Sequence, residues 1–127
     1  MELQRRSEHP PIVTNGVRNA GPCLWLYPYE DWQEYETRID SISPDDLDVQ
    51  DFVSLMISGA NECPIDGQGR ILLPASLRKH GKLKRDVIFA GVGKRIEIWD
   101  KTLFEEGQAR TVRDFHRIAA VVAGQDK

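Results

Sequence analysis

A strand–turn–strand–helix pattern occurs twice in this chain, and no other feature restricts the fold as much. The first copy runs Ile12-Val13-Thr14-Asn15-Gly16, then Cys23-Leu24-Trp25-Leu26-Tyr27, then a helical stretch from Pro28. The second runs Val87-Ile88-Phe89-Ala90-Gly91, then Arg95-Ile96-Glu97-Ile98-Trp99, then a helical stretch capped by Asp100. Short β-branched and aromatic runs bounded by turn residues read as strands, and apolar residues at three- and four-residue steps read as helix. Two copies of one such unit are most simply a quasi-two-fold pair. At 127 residues the chain has room for one compact body, or for two very small ones that must pack together. The expectation is an α+β protein.

Between the copies the punctuation is specific. Asn15-Gly16 and Asn19-Ala20-Gly21-Pro22 are turn material within the first hairpin. Trp32, Tyr35, Ile39 and Ile42 form the apolar stripe of a first helix and read as core. Ser43-Pro44-Asp45-Asp46 predicts a second helix start, with Ser as N-cap, Pro in the first turn and acids behind it. Val49, Phe52, Val53, Met56 and Ile57 carry that helix to Gly59. In the second copy Gly93-Lys94 is a tight turn, and an apolar patch from Ile118 to Val122 follows the last capped helix.

The segment joining the copies holds Cys63-Pro64-Ile65, then Asp66-Gly67-Gln68-Gly69-Arg70, then Ile71-Leu72-Leu73-Pro74. Two glycines around one polar residue permit the positive φ of a tight reversal, and Asp66 can cap it with its side chain. Ile71 to Leu73 then reads as a strand stopped by Pro74, followed by a short helix to His80 that Gly81 ends. Arg70 leaves the turn with a planar, permanently charged fork suited to phosphate or guanine. The same residues also fit a plain surface hairpin in which Asp66 and Arg70 pair with each other.

Charge is segregated along the chain. Pro28 to Glu62 hold ten acidic residues and one basic, a net of −9, whereas Pro64 to Lys101 hold nine basic and four acidic, a net of +5. The overall net charge of −3 conceals a cationic face carried by the second half. An acidic neighbour in an oligomer would equally meet such a rim. No apolar run approaches the length of a membrane span, and the first residues lack the apolar core of a signal peptide. Cys23 and Cys63 stand far apart without metal-ligand spacing, which fits two inert thiols in a reducing cytoplasm. His9, His80 and His116 have no acid or thiol at ligand spacing, and no nucleophile-elbow, Walker or H-E-x-x-H pattern occurs. The expectation is therefore no enzyme, no metal, no cofactor and no small-molecule substrate.

Five landmarks in order give the chain a family resemblance: Cys23-Leu24-Trp25-Leu26-Tyr27-Pro28, Leu55-Met56-Ile57-Ser58-Gly59-Ala60, Glu62 through Arg70, Leu72 through Arg78, and Ile96 through Asp100. From about Pro11 onward it resembles the MraZ family, bacterial transcription factors of the AbrB-like swapped-hairpin class. The resemblance implies tandem AbrB-like half-barrels, with residues 1–60 as the first half and 61–127 as the second. It implies a cytoplasmic, nucleoid-associated regulator that binds double-stranded DNA at promoter repeats upstream of the cell-division and cell-wall gene cluster, as a ring-like homo-oligomer. Arg70 is then the foremost base or phosphate contact, Asp66 and Gly69 set its turn, and Arg78 and Lys79 reinforce the cationic face. Lys82, Lys84 and Arg85 are further phosphate neighbours. The first half departs from the family pattern: Met1 to His9 contain no Asp and no glycine turn, and Leu3-Gln4-Arg5-Arg6 reads as the remains of a short helix. That departure leaves open an oligomerisation module that modulates a full-length regulator; a further alternative is an AbrB-type antitoxin, which uses similar turns and against which the tandem repeat weighs.

Overall fold

The computed structural model describes residues 9–42 and 45–125. The expected Leu3–Arg6 helix, and Ser43 and Pro44 of the expected second helix start, lie outside the described residues. The chain forms β1 (Ile12–Arg18), β2 (Gly21–Tyr27), α1 (Tyr29–Asp40), α2 (Leu47–Ser58), β3 (Asn61–Glu62), α3 (Ala75–His80), β4 (Val87–Val92), β5 (Arg95–Asp100), α4 (Lys101–Arg113) and α5 (Phe115–Gln125). All pairings are antiparallel in one sheet ordered β3-β1-β2-β5-β4.

The two hairpins meet through their second strands, and the register makes the repeat a geometric symmetry. Leu24 faces Ile98, Trp25 faces Glu97, and Leu26 faces Ile96. Trp25 and Glu97 stand 72 positions apart in sequence. At that offset Leu24 corresponds to Ile96 and Leu26 to Ile98, so Trp25 faces its own counterpart while Leu24 and Leu26 each face the other's, about an axis between Trp25 and Glu97. Ring contacts repeat too: Tyr27 meets Trp32 at 5.6 Å and Trp99 meets Phe104 at 6.3 Å between centroids.

Alternation along β2 gives the sheet two buried faces. Cys23, Trp25 and Tyr27 point to the helical side and pack with Trp32, Ile39, Met56 and Trp99. Leu24 and Leu26 point the other way, where Val13, Cys63, Leu77 and Ile98 close a second cluster. The joining segment therefore lies across strands of the first hairpin. At the end of α2, carbonyls that the helix cannot satisfy are taken by β1 side chains, with Thr14 Oγ1 donating to Met56 O at 2.6 Å and Asn15 Nδ2 to Leu55 O at 3.0 Å.

Several expectations change. Asn15-Gly16 is not a turn but part of β1, opposite Leu24 and Cys23. Gly16 is there for space, since a Cβ would sit 2.7 Å from the Trp25 indole. Ile71 to Leu73 form no strand: Ile71 makes a single bridge to Ile65, and Leu72 is 83% exposed. Ile71 and Leu73 pack against the cluster around Leu77. The second helix begins at Leu47 with Asp46 as N-cap, its carboxylate accepting from Asp48 N and Val49 N. Ile42, expected in the core stripe of the first helix, lies beyond that helix and is 46% exposed, and Phe52 of the second is 41% exposed.

Candidate nucleic-acid interface

Asp66 builds its turn with both carboxylate oxygens. Oδ1 accepts from Gln68 N at 2.9 Å and Arg70 N at 2.8 Å, while Oδ2 accepts from Arg70 Nε at 2.9 Å. Asp66 N donates to Arg70 O at 2.8 Å and Gly69 N to Asp66 O at 3.0 Å, closing the loop. Gly69 adopts φ +81°, the left-handed region in which a Cβ is disfavoured. The Arg70 backbone N–H, aided by its side chain and by Gln68 N–H, holds the Asp66 carboxyl below its ordinary range. Asp66 and Arg70 do pair, as a plain hairpin requires. The pairing uses Nε alone: among the described residues no hydrogen bond engages the terminal guanidinium nitrogens, and the side chain is 74% exposed. The contact that steadies the arginine leaves its two-pronged end facing solvent.

Behind the turn, Ile71 and Leu73 anchor the segment to the sheet, and Leu77 buries the inner side of α3. Arg78 and Lys79 are exposed on that helix. Basic residues in its last turn also suit the negative helix end. The left-handed residue closing α3 is not Gly81 but Lys82, at φ +52°. Lys82 N and Leu83 N donate to Lys79 O and Arg78 O, satisfying carbonyls at the helix end. Lys84 and Arg85 are exposed, and Lys84 N donates to Asp100 Oδ1 at 3.2 Å, tying the basic connection to the N-cap of α4. All six predicted cations thus occupy the exposed side of one continuous segment whose apolar side lies against the sheet.

A second polar centre escaped the sequence reading. Glu97, 3% exposed, lies on the pseudo-dyad and accepts from Trp99 Nε1 at 3.0 Å, from Trp25 Nε1 and Arg18 Nη1 at 3.2 Å, and from Arg95 Nη2 at 3.5 Å. The Arg95 guanidinium also lies 3.9 Å from the Trp25 ring centroid. Burial pushes the Glu97 carboxyl upward, but the Trp99 and Arg18 hydrogen bonds and the charges of Arg18 and Arg95 outweigh it and hold it below its ordinary range. Donors come from both hairpins, so this carboxylate joins the two copies. Its available sequence signal was the matching repeat position of Trp25 and Glu97. Among the described residues no group of three or more His, Cys, Asp or Glu is arranged to hold a metal, and no helix is long and apolar enough to cross a membrane.

The family model for the "MraZ protein" matches residues 56–122. Over 108 residues, 85% of this chain and 73% of the relative, it is 42% identical to the transcriptional regulator MraZ of Thermoanaerobacter sp. strain X514. It is 40% identical to that of Desulforamulus reducens over 85% of this chain and 74% of the relative. For Natranaerobius thermophilus the identity is 34% over 91% of this chain and 78% of the relative.

Proposed function

The chain belongs to the MraZ family of transcriptional regulators, and from that membership we propose that it regulates transcription by binding duplex DNA at promoter repeats through the Asp66–Arg85 segment. The observation that carries this reading is the Arg70 guanidinium, fixed through Nε by Asp66 with its terminal nitrogens left to solvent. A bidentate arginine fork matches guanine O6 and N7 or a phosphate. Asp66 and Gly69 present it, Arg78 and Lys79 add charge from α3, and Lys82, Lys84 and Arg85 extend the phosphate contacts. No aromatic residue interleaves these cations, which favours duplex over single-strand stacking.

A patch of this size neutralises few phosphates, so affinity comes from repetition in a ring-like homo-oligomer that meets successive repeats. In this reading residues 1–60 and 61–127 are the tandem halves, the repeats lie upstream of the cell-division and cell-wall genes, and the protein acts in the cytoplasm at the nucleoid without an enzymatic step.

The test is Arg70→Ala in a gel-shift titration against promoter repeats. Loss of a bidentate base contact costs about 1–3 kcal/mol per occupied site. An unchanged affinity with the fold intact refutes the assignment.

A further inference from the structure

A broad groove of about 1340 Å³ opens on the helical side, between the hairpin tips of the sheet and helices α4 and α5. Its floor holds Trp25 and Trp99, and its walls carry Phe104 and Phe115. Four arginines line it, Arg18, Arg95, Arg110 and Arg117, against two carboxylates, Glu97 and Asp114. Arg18 and Arg95 are already engaged by Glu97, and Arg117 meets Asp114 at 3.5 Å, whereas Arg110 has no ion-pair partner among the described residues. Small-molecule sites fall near 300–1,000 Å³. This groove is larger, more open in form, and suited to the side of a helix.

The opposite chemistry lies on α2. Its outward side exposes Leu47 (72%), Phe52 (41%) and Leu55, with Asp48 and Asp51 among them, and the helix contains no basic residue. Leu47, Asp51 and Leu55 follow each other at four-residue steps, and Phe52 stands four beyond Asp48, so these side chains share one broad stripe. Helix α2 packs over β1, whereas the groove is walled by α4 and α5 next to β4 and β5, so one copy does not fill its own groove.

We propose that α2 of a second copy of this chain seats its Leu47-Phe52-Leu55 stripe in this groove, with Asp48 and Asp51 against Arg110 and Arg117. The inference deepens the oligomer reading above and rests on it. Apolar side chains displace water from exposed Val112 and Phe115 and half-buried Phe104, and the interleaved charges set the register and exclude a reversed docking. Because the two surfaces are different, the contact is heterologous: each copy offers a helix to one neighbour and a groove to the next, and a suitable rotation closes a ring.

The experiment is a reciprocal charge reversal on the full chain, with Asp48→Arg plus Asp51→Arg as one variant and Arg110→Glu plus Arg117→Glu as the other. Light scattering at micromolar concentration reads the mass, and circular dichroism checks the fold. Each variant alone should fall below the wild-type mass, and an equimolar mixture should regain it, since every interface in the mixture pairs opposite charges again. Phe52→Ser, a change at an exposed position, should also lower the mass without altering the dichroism. The proposal is overturned if both reversed variants keep the wild-type mass, or if they dissociate and the mixture does not recover. A groove variant that keeps its mass and loses DNA affinity also overturns it, assigning the arginines to phosphate instead. A wild-type protein that is monomeric removes the oligomer reading itself, whereas a stable oligomer indifferent to all of these changes removes only this interface.

Discussion

Replacing Glu97 by glutamine preserves shape and removes one charge from the seam between the two hairpins. In the native protein four N–H groups converge on this carboxylate, at 3.0 Å from Trp99, 3.2 Å from Trp25 and Arg18, and 3.5 Å from Arg95. A glutamine keeps one acceptor oxygen and sets an NH2 group against donors, so at least one indole N–H loses its partner. The Arg18 side chain is 47% exposed and that of Arg95 26%. The Arg18 pair is therefore valued as a surface contact, at most about 1 kcal/mol. Hydrogen bonds to a charged group are worth about 1.5–3 kcal/mol each, and breaking a buried pair costs about 3–5 kcal/mol. Discounting for the partly exposed arginines, Glu97→Gln should cost about 3 kcal/mol. Urea unfolding at neutral pH reads this as a lower midpoint with an unchanged slope. The pH dependence supplies a second reading. The folded-state pKa of Glu97 is depressed, so the stabilisation is complete above the unfolded-state pKa and is lost as pH falls through the folded value. The gap between wild type and variant should thus narrow on acidification. A cost under about 0.5 kcal/mol at neutral pH, the range of an ordinary surface substitution, would refute the view that this carboxylate ties the halves together.

Two further outcomes test local features. Lys82→Gly should stabilise the fold by about 1 kcal/mol, because it relieves a left-handed residue at φ +52°, while the salt dependence of DNA binding should shrink by about 0.9 in log–log slope if Lys82 meets a phosphate; thermal unfolding and a salt titration on the same variant separate the two effects. Burial, reinforced by the charge of Glu97, pushes the Cys23 thiol up to about 12, and burial also raises Cys63. Both thiols should react slowly with a disulfide reagent at pH 8 in the folded protein and rapidly in denaturant; fast native labelling would contradict this.

Local pattern alone carried the two hairpins, the helices after Pro28 and Asp100, the Asp66 turn and the cations that follow it, because each depends on neighbours a few residues away. What lay beyond the sequence depends on partners far along the chain. Asn15-Gly16 has the composition of a turn, but the space needed by the Trp25 indole and the α2 carbonyl at Leu55 place it in a strand. Ile71-Leu72-Leu73 has the composition of a strand, but only Ile71 meets a partner, Ile65, and among the described residues no ladder extends beyond that bridge. Glu97 read as one charge in an alternating strand, and only the antiparallel meeting of β2 with β5 brings both tryptophan N–H groups and two arginines to it. The sequence by itself determined which groups can accept, donate or bury surface; the tertiary structure decided which of them meet, since contacts across some 72 positions are set by packing of whole faces rather than by local preference.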